Sequence, residues 1–338
     1  MMNNTSMNQA CKLKPGTSLI GKWNKNIYTM IRLLGEGATG VVYLADSDQG
    51  RVALKLSENS LSITSEVNVL KHFSKVQGSS LGPCLLDVDD FIQPNTQKII
   101  PFYVMEYVGG TDFLTFVQGK GIEWVDVLIL QLLTNLEQLH RHGWVFGDLK
   151  PDNLIVSGPP TKIRCIDVGG TTMQGRSIKE FTEFFDRGYW GLGTRKAEPA
   201  YDLFAVAMIM VNVAYPKRFS KKTDGTEGKI HLFEAIDQDT FLKKHKQMLV
   251  NAILGKYNSA AEMKQDLLVI VSTATSKPAR SNNGTKSKRV QQNRPTASTR
   301  KQVKQSNKRK KTSGLLETIV ILIGVFLIYS LYVMQNLM

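Results

Sequence analysis

Cysteine is scarce in this sequence of 338 residues, which contains only Cys11, Cys84 and Cys165. An odd number of cysteines at wide and unrelated spacing argues against a disulfide framework and against a structural zinc site. The opening residues, MMNNTSMNQA, also lack the apolar stretch of a secretory signal. We therefore expect a reduced chain whose first residues stay in the cytosol.

Acidic residues are absent from residues 277–311, which hold thirteen lysines and arginines. The net charge of +14 is therefore concentrated in this stretch, and the first 276 residues are close to neutral. Residues 271–314 also lack aromatic side chains, so they cannot bury enough apolar surface to offset the entropy of ordering. We expect residues 271–314 to form a disordered basic linker.

Long apolar runs are also rare. One uncharged stretch, residues 318–337, has twenty residues, and as a helix it is about 30 Å long, which matches the thickness of the hydrocarbon layer. Lysine and arginine lie only on its N-terminal side, which places residues 1–314 in the cytosol. A buried core helix is the alternative, but this segment follows a polar linker and no further element follows it. The sequence predicts a transmembrane helix within residues 315–338 and a cell-membrane localisation.

The rest of the chain divides into a strand-rich part and a helix-rich part. Alternating β-branched and aromatic residues predict strands over residues 30–44 and 51–56. Leucines at helical spacing predict a helix over residues 124–142, and the shorter apolar run at residues 203–213 predicts a buried helix. We expect an α+β fold whose two lobes enclose a ligand-binding cleft. The predicted segments are a polar leader at 1–25, a β-rich N-lobe at 26–108 and a helical C-lobe at 109–270.

Glycines at positions 35, 37 and 40 form a GxGxxGxV pattern inside a strand–turn–strand segment. Missing side chains there would let backbone amides approach phosphate groups, although an ordinary glycine-rich hairpin gives the same pattern. Fifteen residues after Gly40, Lys55 ends the VALK segment and could hold phosphates as a point charge. A lysine so placed needs a carboxylate partner. Glu66 in the helical stretch at residues 64–73 is favoured, with Glu58 as the alternative.

The segment FGDLKPDNLIV at residues 146–156 is followed by Asp167 in a DVG triplet. Together these resemble the catalytic loop HRDLKPxN and the metal-binding DFG of Hanks-type protein kinases. The glycine-rich loop and the VALK strand occur upstream in the family's order. The resemblance covers residues 26–270 and implies the two-lobed protein-kinase fold. The whole layout resembles a tail-anchored bacterial kinase of spore-forming bacilli that lacks an extracellular sensor domain.

The resemblance implies a serine/threonine kinase that transfers the γ-phosphate of ATP to protein hydroxyls, with Mg²⁺, or alternatively Mn²⁺, as the metal. Asp148 would accept the proton of the substrate hydroxyl, and Lys150 would steady the γ-phosphate. Asn153 and Asp167 would hold the metal. The remaining ATP-contacting residues implied by the resemblance, with Met105 as gatekeeper of the hinge, are Gly35, Glu36, Gly37, Ala38, Thr39, Gly40, Val42, Ala53, Lys55, Glu66, Met105, Glu106 and Val108.

Two features depart from the family's pattern. Gly147 stands where the family has the arginine that reads a phosphorylated activation segment. No Ala-Pro-Glu triplet occurs at its usual place, where the sequence has Gly-Tyr-Trp-Gly at residues 188–191. We therefore expect activation-segment phosphorylation to matter less than usual. Autophosphorylation is still expected, at Thr171, Thr172, Ser177, Thr182 and in the linker.

Two other functions compete with that of a protein kinase. A small-molecule kinase is one, because Gly147-Asp148 resembles the loop of antibiotic and choline phosphotransferases, but Lys150-Pro151 and the complete glycine-rich loop favour a protein substrate. A degenerate, kinase-like scaffold is the other. The presence of Lys55, Asp148, Asn153 and Asp167 together argues against it.

The basic linker has two candidate ligands. Charges next to the membrane suit anionic lipid, and the linker would then serve only topology and lipid binding. More distant charges lie beyond a Debye length of about 8 Å and, with no aromatic residue to stack on bases, suit the phosphate backbone of DNA. We predict DNA binding that promotes autophosphorylation through self-association of kinase copies. The expected contact residues are Lys286, Lys288, Arg289, Arg294, Arg300, Lys301, Lys304, Lys308, Arg309, Lys310 and Lys311.

Overall fold

An antiparallel sheet of six strands forms the N-lobe in the computed structural model, which describes residues 8–75, 81–94, 96–219 and 226–275. Across the sheet the strands follow the order β1-β2-β3-β4-β6-β5. Their bounds are Ser18–Ile20 for β1, Ile27–Gly37 for β2, Gly40–Ser47 for β3, Gly50–Leu56 for β4, Leu85–Ile92 for β5 and Ile99–Glu106 for β6.

Two features of the N-lobe position the site. The helix α1, Ser60–Lys75, follows β4 and packs on β5 and β6. In β4, residues Val52 to Leu56 are all buried, because the strand lies at the centre of the sheet with β3 and β6 as neighbours. Lys55 is therefore carried into the interior by the strand that the sequence predicts over residues 51–56.

The N-lobe begins earlier than the predicted boundary at residue 26. Cys11 and Leu19 are fully buried, and β1 pairs with β2 through Ser18 and Thr29. The Asp89 carboxylate of β5 accepts hydrogen bonds from the backbone N–H groups of Trp23 and Asn24, at 2.9 and 2.7 Å. The described part of the predicted leader is thus folded onto the sheet, because its few apolar residues complete that sheet's core.

Helices dominate the C-lobe. At its centre lies α4, Pro199–Ala214, which is buried from Tyr201 to Asn212 and contacts both α3 and α7. The helix predicted over residues 124–142 is α3, Glu123–Arg141, and the buried helix predicted over residues 203–213 is α4. The remaining helices are α2, Phe113–Lys120; α5, Thr226–Gln238; α6, Thr240–Lys244; α7, Lys246–Ile253; and α8, Ala260–Thr275.

Short strands of the C-lobe frame the predicted catalytic loop. Two of them, β8 (Trp144–Val145) and β9 (Leu154–Ser157), lie immediately before and after it, and β10 (Lys162–Cys165) ends two residues before Asp167. In one small sheet β9 lies between β10 and β7 (Thr111–Asp112), and in another β8 pairs with β11 (Thr172–Met173). Because β9 and β10 form a hairpin, the loop and Asp167 emerge side by side.

The end of the C-lobe differs from the expectation, because α8 continues to Thr275 and so takes in the first five residues of the predicted disordered linker. The rest of the linker and the predicted transmembrane helix lie outside the described residues. Among the helices that the structure does describe, none combines the length and the apolar character needed to cross a membrane.

Candidate active site

The glycine-rich turn joins β2 to β3 above the buried end of β4. At Gly40 the backbone has a φ of 147°, and a Cβ atom there would lie 2.4 Å from the carbonyl oxygen of Leu56. No heavy atom lies within 4 Å of a Cβ built on Gly35 or Gly37, so their faces are open. The turn therefore packs tightly against β4 at Gly40 and leaves unobstructed backbone at the other two glycines, as a phosphate-binding loop requires.

A buried ion pair lies directly below this turn. The Lys55 Nζ atom is 2.6 Å from Glu66 Oε2 and 3.1 Å from the Thr39 hydroxyl oxygen. Both charged side chains are nearly inaccessible, with Lys55 5% and Glu66 3% exposed. The alternative partner, Glu58, contacts Lys98 instead. Of the two carboxylates considered for Lys55, the fold therefore brings Glu66 to it.

Tyr103 on β6, which is not among the predicted site residues, completes this ion pair. Its hydroxyl donates to Glu66 Oε2 at 2.7 Å, while Ser62 Oγ donates to Glu66 Oε1 at 3.0 Å. Burial and the Glu66 charge raise the pKa of Tyr103, so the phenol stays protonated and remains a donor. A buried carboxylate needs such donors, because an incompletely paired charge in the interior is costly. Tyr103 on β6 is paired with Lys55 on β4, so both side chains lie on the same face of the sheet. The only sign of this in the sequence is the alternation of residues along the two predicted strands.

The predicted hinge lies at the end of β6, which includes Met105 and Glu106. Met105 is buried, and the Glu106 side chain forms two hydrogen bonds with Arg164, at 2.9 and 2.8 Å. The backbone N–H of Glu106 donates to the Cys84 carbonyl at 2.8 Å. This N–H is therefore engaged within the protein, so adenine recognition by the Glu106 backbone would have to use its carbonyl.

The catalytic loop brings Asp148 and Lys150 into contact. Lys150 Nζ donates to Asp148 Oδ2 and also to the Thr182 hydroxyl, at 3.1 Å in the second case. The Thr182 hydroxyl in turn donates to Asp148 Oδ1 at 3.0 Å. These three side chains form one connected polar group at the edge of the cleft. Thr182, treated in the sequence only as a phosphorylation site, is part of it.

Asp202, in the first turn of α4, holds the backbone of this loop. Its fully buried carboxylate accepts from the N–H groups of Phe146 and Gly147, at 2.7 and 2.9 Å. The His140 Nε2 atom lies 2.9 Å from the same carboxylate. Because Gly147 immediately precedes Asp148, the position of the candidate base is set by the start of the most buried helix in the lobe.

The backbone conformation at position 147 requires a glycine. Its φ is 88°, and a Cβ atom there would lie 2.5 Å from the carbonyl oxygen of Gly170. A Cβ on Gly170 would in turn be 2.9 Å from the Asp148 Cβ. The two backbone segments therefore touch directly, and an arginine at position 147 would not fit this arrangement.

Asn153 and Asp167 supply oxygen atoms that suit a magnesium ion. The Asn153 amide nitrogen donates to the Asp148 carbonyl at 2.9 Å, which leaves Asn153 Oδ1 as the available acceptor. Asp167 Oδ1 accepts from the Gly169 N–H at 2.9 Å. The described ranges contain no group of three or more His, Cys, Asp or Glu side chains suited to a metal. Two protein ligands are typical of Mg²⁺, which usually keeps several waters and takes further oxygens from substrate phosphates.

A further carboxylate, Glu180 of the segment after Asp167, adds negative charge here. A Cβ atom on Gly169 would be 3.3 Å from Asp167 Oδ1 and 3.4 Å from Glu180 Oε2, so the two carboxylates flank one glycine. Burial, and then the charge of Asp167, raise the pKa of Glu180, against the opposing effect of Lys55. Excess negative charge between the lobes favours cation binding.

Comparisons with known proteins agree with this geometry. The model of the protein kinase domain matches residues 28–302 of the chain. The serine/threonine-protein kinase YabT of Bacillus subtilis (strain 168) is 51% identical over 336 residues, which are 98% of each protein. A probable serine/threonine-protein kinase of Clostridium perfringens is 28% identical over 144 residues, which are 41% of this chain and 21% of that protein.

Solved structures show the same fold. The kinase domain of Mycobacterium tuberculosis PknI, as a double mutant, is similar with a TM-score of 0.51 at 16% sequence identity, over 77% of this chain and 99% of that one. The chain therefore belongs to the protein kinase family. Within that family it is a bacterial Hanks-type serine/threonine protein kinase, a transferase that uses ATP. The predicted class of enzyme and the predicted two-lobed fold are confirmed.

Replacing Tyr103 by phenylalanine tests its role in holding Glu66. Removal of one hydrogen bond to a charged group should lower kcat/KM for ATP by about tenfold, because Glu66 then fixes Lys55 less firmly. Steady-state kinetics with varied ATP would measure the loss. Tyr43→Phe is the matched control, because the Tyr43 hydroxyl is also buried but contacts only the backbone of Cys11 and Leu13. An equal loss in both variants would contradict the role given to Tyr103.

A comparison of two glycines tests the packing at position 147. Gly147→Ala should lower the free energy of unfolding by about 3 kcal/mol, through left-handed backbone strain of roughly 1–2 kcal/mol and overpacking against Gly170. Gly175→Ala has the same sign of φ, 86°, but open space at its Cβ, and should lose only the strain. Denaturant titration measures both losses. Equal values would show that the packing against Gly170 contributes nothing.

Proposed function

We propose that the side chains assembled here perform phosphoryl transfer to serine and threonine hydroxyls of proteins. Asp148 accepts the proton of the acceptor hydroxyl. The hydroxyl oxygen forms the new bond to the γ-phosphorus, and the bond between that phosphorus and the β-phosphate oxygen breaks. Lys150 stabilises the charge on the transferring group. The observation that carries the proposal is the contact of Asp148 with both Lys150 and Thr182, together with the buried Lys55–Glu66 pair.

Electrostatic positioning accounts for the chemistry, since phosphoryl transfer needs little covalent assistance. Lys55 is held by Glu66 and Thr39 with its ammonium group directed beneath the glycine-rich turn, where it would bind the α- and β-phosphates. Asn153 and Asp167 would hold Mg²⁺. When bound, that ion would neutralise charge on the phosphates.

Three substitutions test these assignments. Asp148→Asn, Lys55→Ala and Asp167→Ala should each reduce phosphate transfer on the order of 10³-fold or more, because each removes a charge at the transferring group. Transfer from labelled ATP to a protein acceptor, to an aminoglycoside and to choline would be measured in parallel. Asp237→Asn, which breaks an exposed ion pair with Lys246, is the control. Near-normal turnover by Asp148→Asn would contradict its role, and transfer only to a small molecule would favour the alternative kinase.

Autophosphorylation belongs to the same proposal, with fewer sites than the sequence indicates. Thr171 and Thr172 are buried, and Thr182 is engaged with Asp148 and Lys150, so none of the three suits modification in this conformation. Ser177 is exposed. Ser177 and the hydroxyls of the linker remain the candidate acceptors.

Attachment to the membrane is a second part of the proposal. It is supported by the twenty uncharged residues at 318–337 and by the basic residues on one side of them. The kinase lobes would then lie on the cytoplasmic face of the cell membrane. A transmembrane anchor also confines copies to a surface, which favours phosphorylation of one copy by another.

DNA is the ligand proposed for the basic linker. Support comes from the absence of acidic and aromatic residues in residues 277–311, since such a stretch can neutralise phosphates but cannot stack on bases. The first 276 residues are nearly neutral, so the linker carries the chain's electrostatic attraction for polyanions. Several copies bound to one DNA strand would meet more often, and autophosphorylation would rise.

Two full-length charge variants test the linker. In the first, glutamine replaces Lys286, Lys288, Arg289, Arg294, Arg300, Lys301 and Lys304. In the second, it replaces only the four residues nearest the predicted membrane helix, Lys308, Arg309, Lys310 and Lys311. Binding of labelled duplex DNA and the rate of autophosphorylation would be measured over a range of salt concentrations. The first variant should lose most DNA binding and DNA stimulation, and the salt slope should fall by about 0.9 for each phosphate that the linker no longer neutralises.

The second variant separates DNA from lipid. It should retain most DNA binding but lose affinity for vesicles that contain phosphatidylserine. If neither variant changes DNA binding, or if the unchanged chain does not bind DNA at low salt, the proposed DNA function is wrong. The linker would then serve topology and lipid binding alone.

A further inference from the structure

Asp186, in the segment between Asp167 and α4, has a fully buried side chain. Oδ1 of its carboxylate accepts from the Gly188 N–H at 3.0 Å and from the Tyr201 hydroxyl at 2.9 Å. Oδ2 accepts from the Tyr189 N–H at 3.0 Å and from Arg195 Nε at 2.8 Å. Arg195 Nη2 also lies 2.6 Å from Oδ2, so five donor atoms from four residues converge on one carboxylate.

One turn of 3₁₀ helix, Glu183–Phe185, connects this carboxylate to the candidate base. Thr182, at the start of the turn, contacts Asp148, and its carbonyl accepts from the Phe185 N–H at 2.8 Å. Asp186, at the end of the turn, donates its own N–H to the Glu183 carbonyl. The Thr182 hydroxyl and the Asp186 carboxylate are thus the two ends of one hydrogen-bonded unit.

The other side of the carboxylate is tied to α4. Tyr201, which donates to Asp186, immediately precedes Asp202, which binds the backbone of the catalytic loop. Burial and the Asp186 charge raise the pKa of Tyr201, so its hydroxyl remains a donor. The first turn of α4 therefore holds Asp148 twice, once through Asp202 and Gly147, and once through Tyr201 and Asp186.

Neighbouring contacts fix the rest of the loop. Arg187 forms an ion pair with Glu198 at 2.8 Å, and a Cβ atom on Gly193 would lie 2.0 Å from the Arg187 Nε atom, so the arginine needs a glycine there. Trp190 is buried and donates its indole N–H to the Phe184 carbonyl at 3.0 Å. This loop contains the Gly-Tyr-Trp-Gly segment that replaces the expected Ala-Pro-Glu triplet. The loop is held in place by contacts among its own residues and with Glu198 and Phe184.

The negative charge of Asp186 is present without any phosphorylation. A phosphorylated activation segment supplies an anion that arginines bind, and the segment becomes ordered as a result. Here an anion paired with Arg195 is present in the sequence itself, and Gly147 leaves no arginine beside Asp148 to read a phosphate. A buried carboxylate also resists displacement, because removal of its donors leaves an unpaired charge in the interior.

We propose that Asp186 is a positioning residue, a built-in anionic anchor that holds the segment from Thr182 to Arg195 in place for protein acceptors without prior phosphorylation. The proposal rests on the assignment of Asp148 as the base. The Asp186 carboxylate accepts hydrogen bonds from Gly188, Tyr189, Arg195 and Tyr201, and none of these residues is assigned to ATP, to the metal or to the proton transfer. Loss of Asp186 should therefore impair use of the acceptor and leave ATP binding intact.

Full-length Asp186→Asn and Tyr201→Phe chains test the anchor. The first removes the charge at constant size, and the second removes one hydroxyl and keeps the carboxylate. With myelin basic protein as acceptor, each should lower kcat/KM for the acceptor by about tenfold, while the Kd for Mg-ATP from calorimetry stays within about twofold. Asp237→Asn is the matched control for the first variant and should change neither value.

Phosphatase treatment tests the second half of the proposal. The unsubstituted chain, stripped of phosphate, should phosphorylate myelin basic protein from the first turnover without a lag. A lag that preincubation with ATP removes would overturn it. So would unchanged acceptor kinetics in both variants, or a parallel loss of ATP affinity, which would indicate a general structural role. Absence of transfer by the unsubstituted chain overturns both this proposal and the proposed function, whereas normal kinetics in the variants overturns the anchor alone.

Discussion

Burial of the Asp202 carboxylate at the start of α4 is the constraint on which the catalytic side of the cleft depends. A charge with no access to water needs a full set of donors, and it finds them in the N–H groups of Phe146 and Gly147 and in His140. Satisfying that carboxylate fixes the backbone at Phe146 and Gly147, immediately before Asp148. The helix behind it is buried along almost its whole length, so the loop is attached to the least movable part of the lobe.

The opposite side of the cleft follows the same principle with the signs reversed. Lys55 is a buried cation whose cost is offset by Glu66, and Glu66 is completed by Tyr103 and Ser62. Each lobe therefore presents a charge that is already oriented before any ligand arrives. Preorganised charges stabilise a transferring phosphoryl group without reorganisation at the moment of reaction. On both sides, hydrogen bonds connect the charged group to a buried element. Asp148 is connected through Asp202 to α4, and Lys55 is connected through Glu66 and Tyr103 to β6.

Local patterns could be predicted from the sequence, and long-range contacts could not. The glycine-rich turn, the strand bearing Lys55 and the helix α3 depend on residues close together in the chain, and each lies within a few residues of its predicted position. Asp186 was missed because its partners Arg195 and Tyr201 lie nine and fifteen residues away and form no spacing pattern. The folded leader was missed because Cys11 and Leu19 are isolated apolar residues in a polar segment, and only the tertiary structure shows that they are buried.

Gly147 shows how one residue can be given the wrong kind of explanation from its sequence alone. By comparison with the motif, position 147 lacks the arginine that reads a phosphorylated activation segment, and the glycine is then explained only as a loss of that regulation. In the structure it is a backbone position with positive φ that packs against Gly170, where no side chain fits. The absence of arginine and the presence of Asp186 then belong to one arrangement. The Asp202 carboxylate holds the catalytic loop that carries Asp148, and the Asp186 carboxylate holds the segment that contains Thr182. If catalytic geometry is fixed in this way, the frequency with which the kinase meets its acceptor is what remains to be controlled. A basic linker and a membrane anchor, as proposed, would act on that frequency alone.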